Sequence, residues 1–285
     1  MRREILVSAS PKESWVALLE DGRLVEIMFD RPDQGRLVGD IYLGRVDAVL
    51  PGIQAAFVDI GEEKAGFLHV SDLLGEEEDD DENGGGGGGG RRNRKYPPIQ
   101  DQVRKGQEIL VQVTKEPIST KGPRLTAQVS LPGRFLVYMP HSSHVGVSRK
   151  IDGRDQRSRL RAMAKEMLPA DSGGIIVRTV GEEVTKETLE REFQRLHAIW
   201  KKIRRRAKSQ KAPSRVHGEA HLISGVIRDL FSDKFDGLTV DSPEVHREIS
   251  EYVSNVAPEL LERIDLHDGP IPVSYTHLTL PTKIV

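Results

Sequence analysis

Five short segments rich in β-branched and apolar side chains crowd into about ninety residues: Ile41–Val49, Gln54–Ile60, Ala65–Val70, Glu108–Thr114 and Arg124–Leu131. Gly, Pro and Asp punctuate them. Strands this short leave unpaired backbone groups along any open edge, and closing the sheet on itself removes the edges altogether. The spacing therefore predicts a small, closed, five-stranded barrel of the OB type. One interval breaks the rhythm. Glu76–Tyr96 holds seven acids from Glu76 to Glu82, seven glycines from Gly84 to Gly90, and then Arg91, Arg92, Arg94 and Lys95. Ordering so many glycines costs more entropy than this composition can offset by burial, so the sequence predicts a disordered insert.

The flanks have a different character. Glu4–Ser8, Ser14–Glu20 and Arg23–Phe29 read as strands, with Asp21-Gly22 as a hairpin turn and a break from Pro32 to Gly35. After the barrel, Phe135–Met139 and Gly174–Thr179 read as strands and Arg157–Leu168 as a helix. Glu187–Lys208 is the clearest helix. Leu189, Phe193, Leu196, Trp200 and Ile203 form one apolar stripe along it, and its last turns carry Lys201, Lys202, Arg204, Arg205 and Arg206. Past Pro213 come a helix near Glu219–Phe231, a strand Gly237–Val240, and a helix opened by Ser242-Pro243. Val245, Ile249, Tyr252 and Val256 form the stripe of that last helix. Alternating helix and strand imply a mixed α/β layer whose missing strands are those of residues 4–30. The barrel and the segment after it are then insertions in one split domain, and the fold class is α+β and multidomain.

Charge and composition narrow the function. The 285 residues carry 42 basic and 44 acidic side chains, a net charge of −2. That balance argues against a nucleic-acid binder only if the charge is evenly spread, and it is not. There is no cysteine, which excludes disulfides, thiolate zinc sites and a cysteine nucleophile and fits a cytoplasmic location. No apolar run approaches the roughly 20 residues that span a bilayer. His217-Gly218-Glu219-Ala220-His221 lacks zincin spacing, because Glu219 lies two residues after the first histidine, roughly 200° round a helix. Phe57 and Phe67 fall on the second and third predicted strands, the face on which OB barrels stack bases, and Lys121 precedes the fifth. The residues alone leave two roles open for the phenylalanines, core or stacking platform, because Ala56 and Val58 flank Phe57 with apolar groups. The basic block 201–211 is equally open between a solvated helix end and an auxiliary phosphate-binding surface.

Ile41-Tyr42-Leu43-Gly44-Arg45-Val46, Ala55-Ala56-Phe57-Val58-Asp59-Ile60-Gly61 and Ala65-Gly66-Phe67-Leu68 resemble the RNA-binding S1 domain of the ribonuclease E/G family. Ile5-Leu6-Val7, Val111-Gln112-Val113-Thr114-Lys115-Glu116, Ser148-Arg149-Lys150-Ile151, Ile175-Ile176-Val177-Arg178-Thr179 and Trp200 also match, in family order, and the resemblance covers about residues 1–272. It implies a division into a first part of an RNase H-like domain (1–36), the S1 barrel with its insert (37–130, insert 76–96), a 5′-sensor region (131–213), and the second RNase H-like part (214–272). It implies that Phe57 and Phe67 stack on RNA, that Lys121 contacts it, and that Gly133, Val137, Arg178 and Thr179 grip a 5′-monophosphate. The activity implied is metal-dependent endoribonucleolysis of single-stranded RNA by a homo-oligomeric enzyme. Its magnesium is held by aspartates that the resemblance puts beyond residue 272, so no metal site is expected in this chain. Residues 273–285 depart from the family pattern, contain no acid, and read as a non-native tail on a truncated frame. Two other readings stay open: a complete, non-catalytic RNA-binding protein, and hydrolysis by the split domain itself, which would need a cluster of acids around a metal; Asp229, Asp233, Asp236 and Asp241 lie in that domain, but the resemblance implies a structural role for it.

Replacing Glu76–Lys95 by a short turn should leave the melting temperature almost unchanged, since an unstructured loop contributes mainly closure entropy. RNA affinity should hold or rise, because an acidic run repels a polyanion over a Debye length of about 8 Å. A marked loss of affinity would instead assign phosphate contacts to Arg91, Arg92, Arg94 and Lys95.

Overall fold

The computed structural model describes residues 1–10, 13–30, 36–74, 96–218 and 222–269. The predicted insert, apart from Tyr96, and the tail 273–285 lie outside them, as do Glu219, Ala220 and His221. The chain opens with β1 (Arg3–Ala9), β2 (Ser14–Glu20) and β3 (Arg23–Asp30). Next come β4 (Ile41–Leu50), β5 (Ala55–Asp59), β6 (Gly66–His69), α1 (Val70–Leu74), α2 (Ile99–Gln102), β7 (Glu108–Lys115) and β8 (Arg124–Thr126). β9 (Leu131–Pro132), β10 (Leu136–Met139), β11 (Val145–Val147), α3 (Arg154–Met167), β12 (Gly174–Val177), α4 (Lys186–Ser209) and β13 (Ser214–His217) come after the barrel strands. α5 (Leu222–Asp229), β14 (Gly237–Val240), α6 (Pro243–Val256) and β15 (Ile264–Leu266) complete the described elements. The chain divides into two compact units, Met1–Gly35 with Ala220–Val285, and Arg36–Glu219.

The first unit is a sheet of order β15-β14-β1-β2-β3, built from both ends of the sequence. β1 pairs in parallel with β14, Ile5 opposite Leu238 and Val7 opposite Val240. Asp21 and Gly22 both take positive φ, 49° and 74°, the conformation a tight hairpin between β2 and β3 demands. Ile5, Val7, Val16, Leu238 and Val240 meet Ile227, Phe231, Ile249 and Val253 in one core. Ser242 caps α6, its Oγ accepting from the Val245 amide at 3.4 Å, as the Ser-Pro start predicts. The short β15 carries no sequence signal of its own; it comes after a 3-10 turn, Pro258–Arg263, and pairs with β14.

The second unit holds the barrel. β4, β5, β6, β8 and β7 pair in that order, and β7 closes on β4. Tyr42, Val46, Ala56, Val58, Leu68, Val111, Val113 and Leu125 fill it, with Ile99 and Val103 sealing one side. β4 serves three partners. Its first half lies between β7 and β13, and its second half pairs with β5. The structure differs here from the sequence, which assigns residue 214 onward to the split domain. Ser214–His217 instead adds a strand to β4, fixed by Arg215, whose guanidinium grips the buried Asp40 carboxylate at 2.8 and 3.0 Å. Only three-dimensional pairing reveals this, since four residues carry no periodicity.

Beyond the barrel, β11, β12, β10 and β9 form a second sheet, in that order. Against it pack α3 and the 24-residue α4, whose buried positions include Leu189, Phe193, Leu196, Trp200 and Ile203, the stripe the sequence predicts. The predicted strand Gly174–Thr179 ends at Val177, and Thr179–Gly181 turns in a 3-10 helix instead. Among the described residues no helix is long and apolar enough to cross a membrane.

Gly44 lies where β4 crosses the barrel wall. A Cβ there would stand 2.5 Å from Val58 Cγ1 and 3.0 Å from the Asp59 carbonyl oxygen. Gly44→Ala should therefore destabilise the unit by about 1–3 kcal/mol through overpacking. Gly52→Ala, where a Cβ meets nothing within 4 Å, is the neutral control. Chemical denaturation of both variants checks this; equal midpoints would show that the wall yields freely.

Candidate nucleic-acid interface

On β5 the residues alternate. Ala56 and Val58 point into the barrel core, and Phe57 between them is half-buried and outside it. On β6, Leu68 points in and Phe67 is half-buried. Register sets Phe57 directly opposite Phe67, with ring centroids 6.0 Å apart and planes at 67°. The same row runs on across the barrel: Phe67 pairs with Arg124 of β8, and Arg124 with Lys115 of β7. Arg124 and Lys115 are exposed, and Arg124 is held by Asp72 at 2.9 and 3.1 Å. Two rings on the wall beside cations are an arrangement with the chemistry to stack bases and to meet phosphates.

Lys121 is exposed on a tight turn. Its backbone exchanges hydrogen bonds with Ile118 at 3.0 and 3.2 Å, and Lys64 Nζ donates to the Ser119 carbonyl at 2.7 Å. Gly122 fixes the turn against the barrel, since a Cβ there would fall 2.0 Å from the Ala65 carbonyl oxygen. The Phe67 amide donates to Pro123 O at 2.8 Å, so the turn bearing Lys121 runs directly into the partner of the Phe67 strand.

The second group lies on the second sheet. Arg178 stands at the end of β12, where Nη1 donates to the Gly133 carbonyl at 2.7 Å and its amide donates to Phe135 O at 2.7 Å. The Thr179 hydroxyl is 2.9 Å from that of Ser148. Val137 lies on β10 between Pro132 and Ile176, its side chain half-buried. The structure thus brings Arg178 to Gly133 and Thr179 to Ser148. It leaves the barrel aromatics on a separate sheet. A guanidinium held by a carbonyl beside two hydroxyls offers the fork and hydroxyl donors that suit a phosphate.

Beneath this group lies Glu192 of α4, only 4% exposed. Its Oε1 accepts from the Arg134 amide at 2.7 Å, and Oε2 from those of Phe135 and Leu136 at 2.8 and 3.0 Å. One carboxylate thereby satisfies three consecutive amides of the turn that presents the Gly133 carbonyl. Gly133 is glycine for the same reason, since a Cβ would lie 2.7 Å from Glu192 Cδ. Neither Glu192 nor Ser148 is singled out as a site residue by the sequence. The signal for Glu192 is present all the same: it is three residues after Leu189 and four before Leu196, which puts an acid on the apolar face of α4.

Other candidates resolve as structural. His141 packs edge-on against Trp200 at 5.1 Å. Asp236 accepts the Arg3 amide, and Asp241 accepts the Ser8 hydroxyl and the Ala9 amide. Among the described residues no group of three or more His, Asp or Glu could hold a metal ion.

The model of the ribonuclease E/G family matches residues 130–282. The match runs past Pro272, into residues that the sequence alone sets apart from the family. The chain is 39% identical over 270 residues to ribonuclease G of Haemophilus influenzae, covering 95% of this chain and 54% of that protein. It is 38% identical over 280 residues to ribonuclease G of Escherichia coli K12, covering 96% and 54%. To ribonuclease E of Haemophilus influenzae it is 32% identical over 285 residues, covering 100% and 29%. The chain spans about half the length of the ribonuclease G proteins that it matches.

Glu192→Gln puts an amide donor against backbone donors and removes the charge that strengthens all three bonds. Stability should fall by about 2 kcal/mol, read from the denaturant midpoint. An unchanged midpoint would mean that the turn holds without the carboxylate.

Proposed function

The chain belongs to the ribonuclease E/G family, and from that membership we propose that it is the part of such an enzyme that binds single-stranded RNA and senses a 5′-monophosphate. The observation that carries the reading is the register-matched pair Phe57–Phe67 on the outer wall of the closed barrel. Stacking on such rings tolerates any base, as an enzyme of RNA processing and decay requires, and contributes roughly 1–3 kcal/mol per base. Lys121 adds a phosphate contact at the edge of the same wall.

The Gly133, Val137, Arg178 and Thr179 group is the 5′-end pocket in this reading, with Ser148 as a further donor. A terminal monophosphate carries more charge than an internal diester and presents its oxygens to both Arg178 and Thr179. A 5′-hydroxyl offers neither charge nor those acceptors. The sheet built from both chain ends corresponds to a split RNase H-like domain that acts as a scaffold. Cleavage, with magnesium as its metal, is assigned to carboxylates outside this chain, and the working enzyme is a cytoplasmic homo-oligomer.

Affinities for one RNA with a 5′-monophosphate, 5′-hydroxyl or 5′-triphosphate, at one fixed salt concentration, test this. The monophosphate form should bind tightest, and Arg178→Ala should erase that preference alone. Phe57→Ala and Phe67→Ala should each cost roughly 1–3 kcal/mol of binding while the barrel stays folded. With magnesium present the RNA should remain intact. Equal binding of monophosphate and hydroxyl ends sinks the sensor assignment. Unfolding of the Phe variants sinks the stacking assignment. Cleavage abolished by replacing an acid of this chain sinks the division of labour.

A further inference from the structure

From Phe193 to Gly218 the chain contains no Asp or Glu, although acids outnumber bases over its full length, 44 to 42. Arg195, Lys201, Lys202, Arg204, Arg205, Arg206, Lys208, Lys211 and Arg215 fall in that interval. Three of these are explained by the fold. Arg215 grips Asp40, Arg195 lies 3.8 Å from the Glu192 carboxylate, and Arg206 donates to the Val216 carbonyl at 3.2 Å. The helix dipole favours cations in the last turn of α4, where Arg206 and Lys208 lie, and its effect fades beyond that turn. It does not account for Lys201, Arg204 and Arg205.

Lys201, Arg204, Arg205 and Lys208 have the spacing i, i+3, i+4, i+7. At about 100° per residue they share an arc of roughly 100°, and they run about 10 Å along the helix. All four are exposed, and among the described residues none forms an ion pair. Each neighbouring like-charged pair at this spacing weakens the helix. Lys201 also bears on its surroundings: burial, and after it the Lys201 charge, holds His197 below the usual imidazole range. Folding therefore gains little from Lys201, Arg204 and Arg205, and only Lys208 is favoured by the helix dipole.

The position of the stripe points to its partner. The same helix carries Glu192, which shapes the turn beside Arg178. After its C-terminus, Ala212 O accepts from Arg45 Nη2 of the barrel strand β4 at 2.7 Å. The cationic segment thus lies on a helix that packs on β10 of the second sheet and on β13 beside the barrel strand β4. We propose that Lys201, Arg204, Arg205 and Lys208 form a sequence-independent binding stripe for the RNA phosphate backbone, distinct from both the stacking platform and the 5′-end pocket. The inference rests on the RNA-binding reading above. RNA is favoured over an acidic protein because the stripe shares its unit with the two sites that reading assigns to RNA.

The test uses the full chain with all four residues changed to Gln, and a second variant with Lys and Arg exchanged at the same four positions. Affinity for a 5′-monophosphorylated oligouridine is measured over a salt series. Each phosphate contact on a single strand contributes about 0.7 to the slope of log affinity against log salt. The Gln variant should be shallower by up to about 3, bind more weakly at low salt, and keep its preference for the monophosphate end. Its melting temperature should hold or rise, since repulsion is relieved. The exchanged variant should keep the original slope. An unchanged slope in the Gln variant overturns the stripe, including when only binding of a polyglutamate competitor is lost. If the Gln variant loses slope while Phe57→Ala and Phe67→Ala leave affinity intact, the stripe stands and the stacking platform falls. No RNA binding by the unsubstituted chain overturns both.

Discussion

Everything in the larger unit hangs on the closure of the barrel by β4. A ten-residue strand can satisfy two neighbours along part of its length and change partners along the rest, and β4 does so with β7, β13 and β5. The change is possible because the β4–β5 ladder slips between Val46 and Ala48, bending the strand. It also demands the small Gly44 where the neighbouring strand β5 comes close. Once closed, the barrel has no free edge for β5 and β6, so the outer wall is available to side chains rather than to another strand. Phe57 and Phe67 are paired by the β5–β6 register on that wall.

The closed barrel in turn positions the second sheet and its helices. Gln112, buried in β7, donates to Gly39 O and Ser130 O and accepts from the Ser130 amide, which fixes where the chain leaves for the second sheet. Arg45, Glu108 and Ala212 fix where it returns. Between these anchors α4 lies against β10, and Glu192 clamps the Gly133–Leu136 turn. A buried carboxylate is costly unless its oxygens are satisfied, and three amides plus Arg195 at 3.8 Å satisfy these. The arrangement works in both directions: the amides need an acceptor, and the turn they hold keeps the Gly133 carbonyl where it accepts from Arg178.

How much of this is legible in the sequence depends on the range of each interaction. Short strands, the Asp21-Gly22 hairpin, the Ser242-Pro243 cap and the stripe of α4 are local in origin, and their residues announce them. The orientation of Phe57 is not local. Ala56 and Val58 look like candidates for either face, and only pairing with β6 and β4 decides which side is inside. β13, the Arg215–Asp40 pair and the Thr179–Ser148 contact join residues far apart in sequence, so no pattern within one segment encodes them. Glu192 is an intermediate case. Its spacing on α4 marks a buried acid, but the three amides it serves lie more than fifty residues earlier.

The uneven charge has a physical logic beyond solubility. Stacking on aromatic rings depends little on salt, because no counterions are released when a base meets a ring. A pocket that reads a terminal phosphate depends on the charge of one end and so distinguishes RNAs with identical bodies. A cationic stripe depends on every phosphate it touches and therefore responds steeply to ionic strength. Three modes of such different salt dependence on one unit would make the stacking contribution persist where the two charge-dependent ones weaken. The net charge near zero hides an uneven distribution: seven acids gather between Glu76 and Glu82 and none occur from Phe193 to Gly218. The total can then stay balanced while the local field at α4 remains strongly positive.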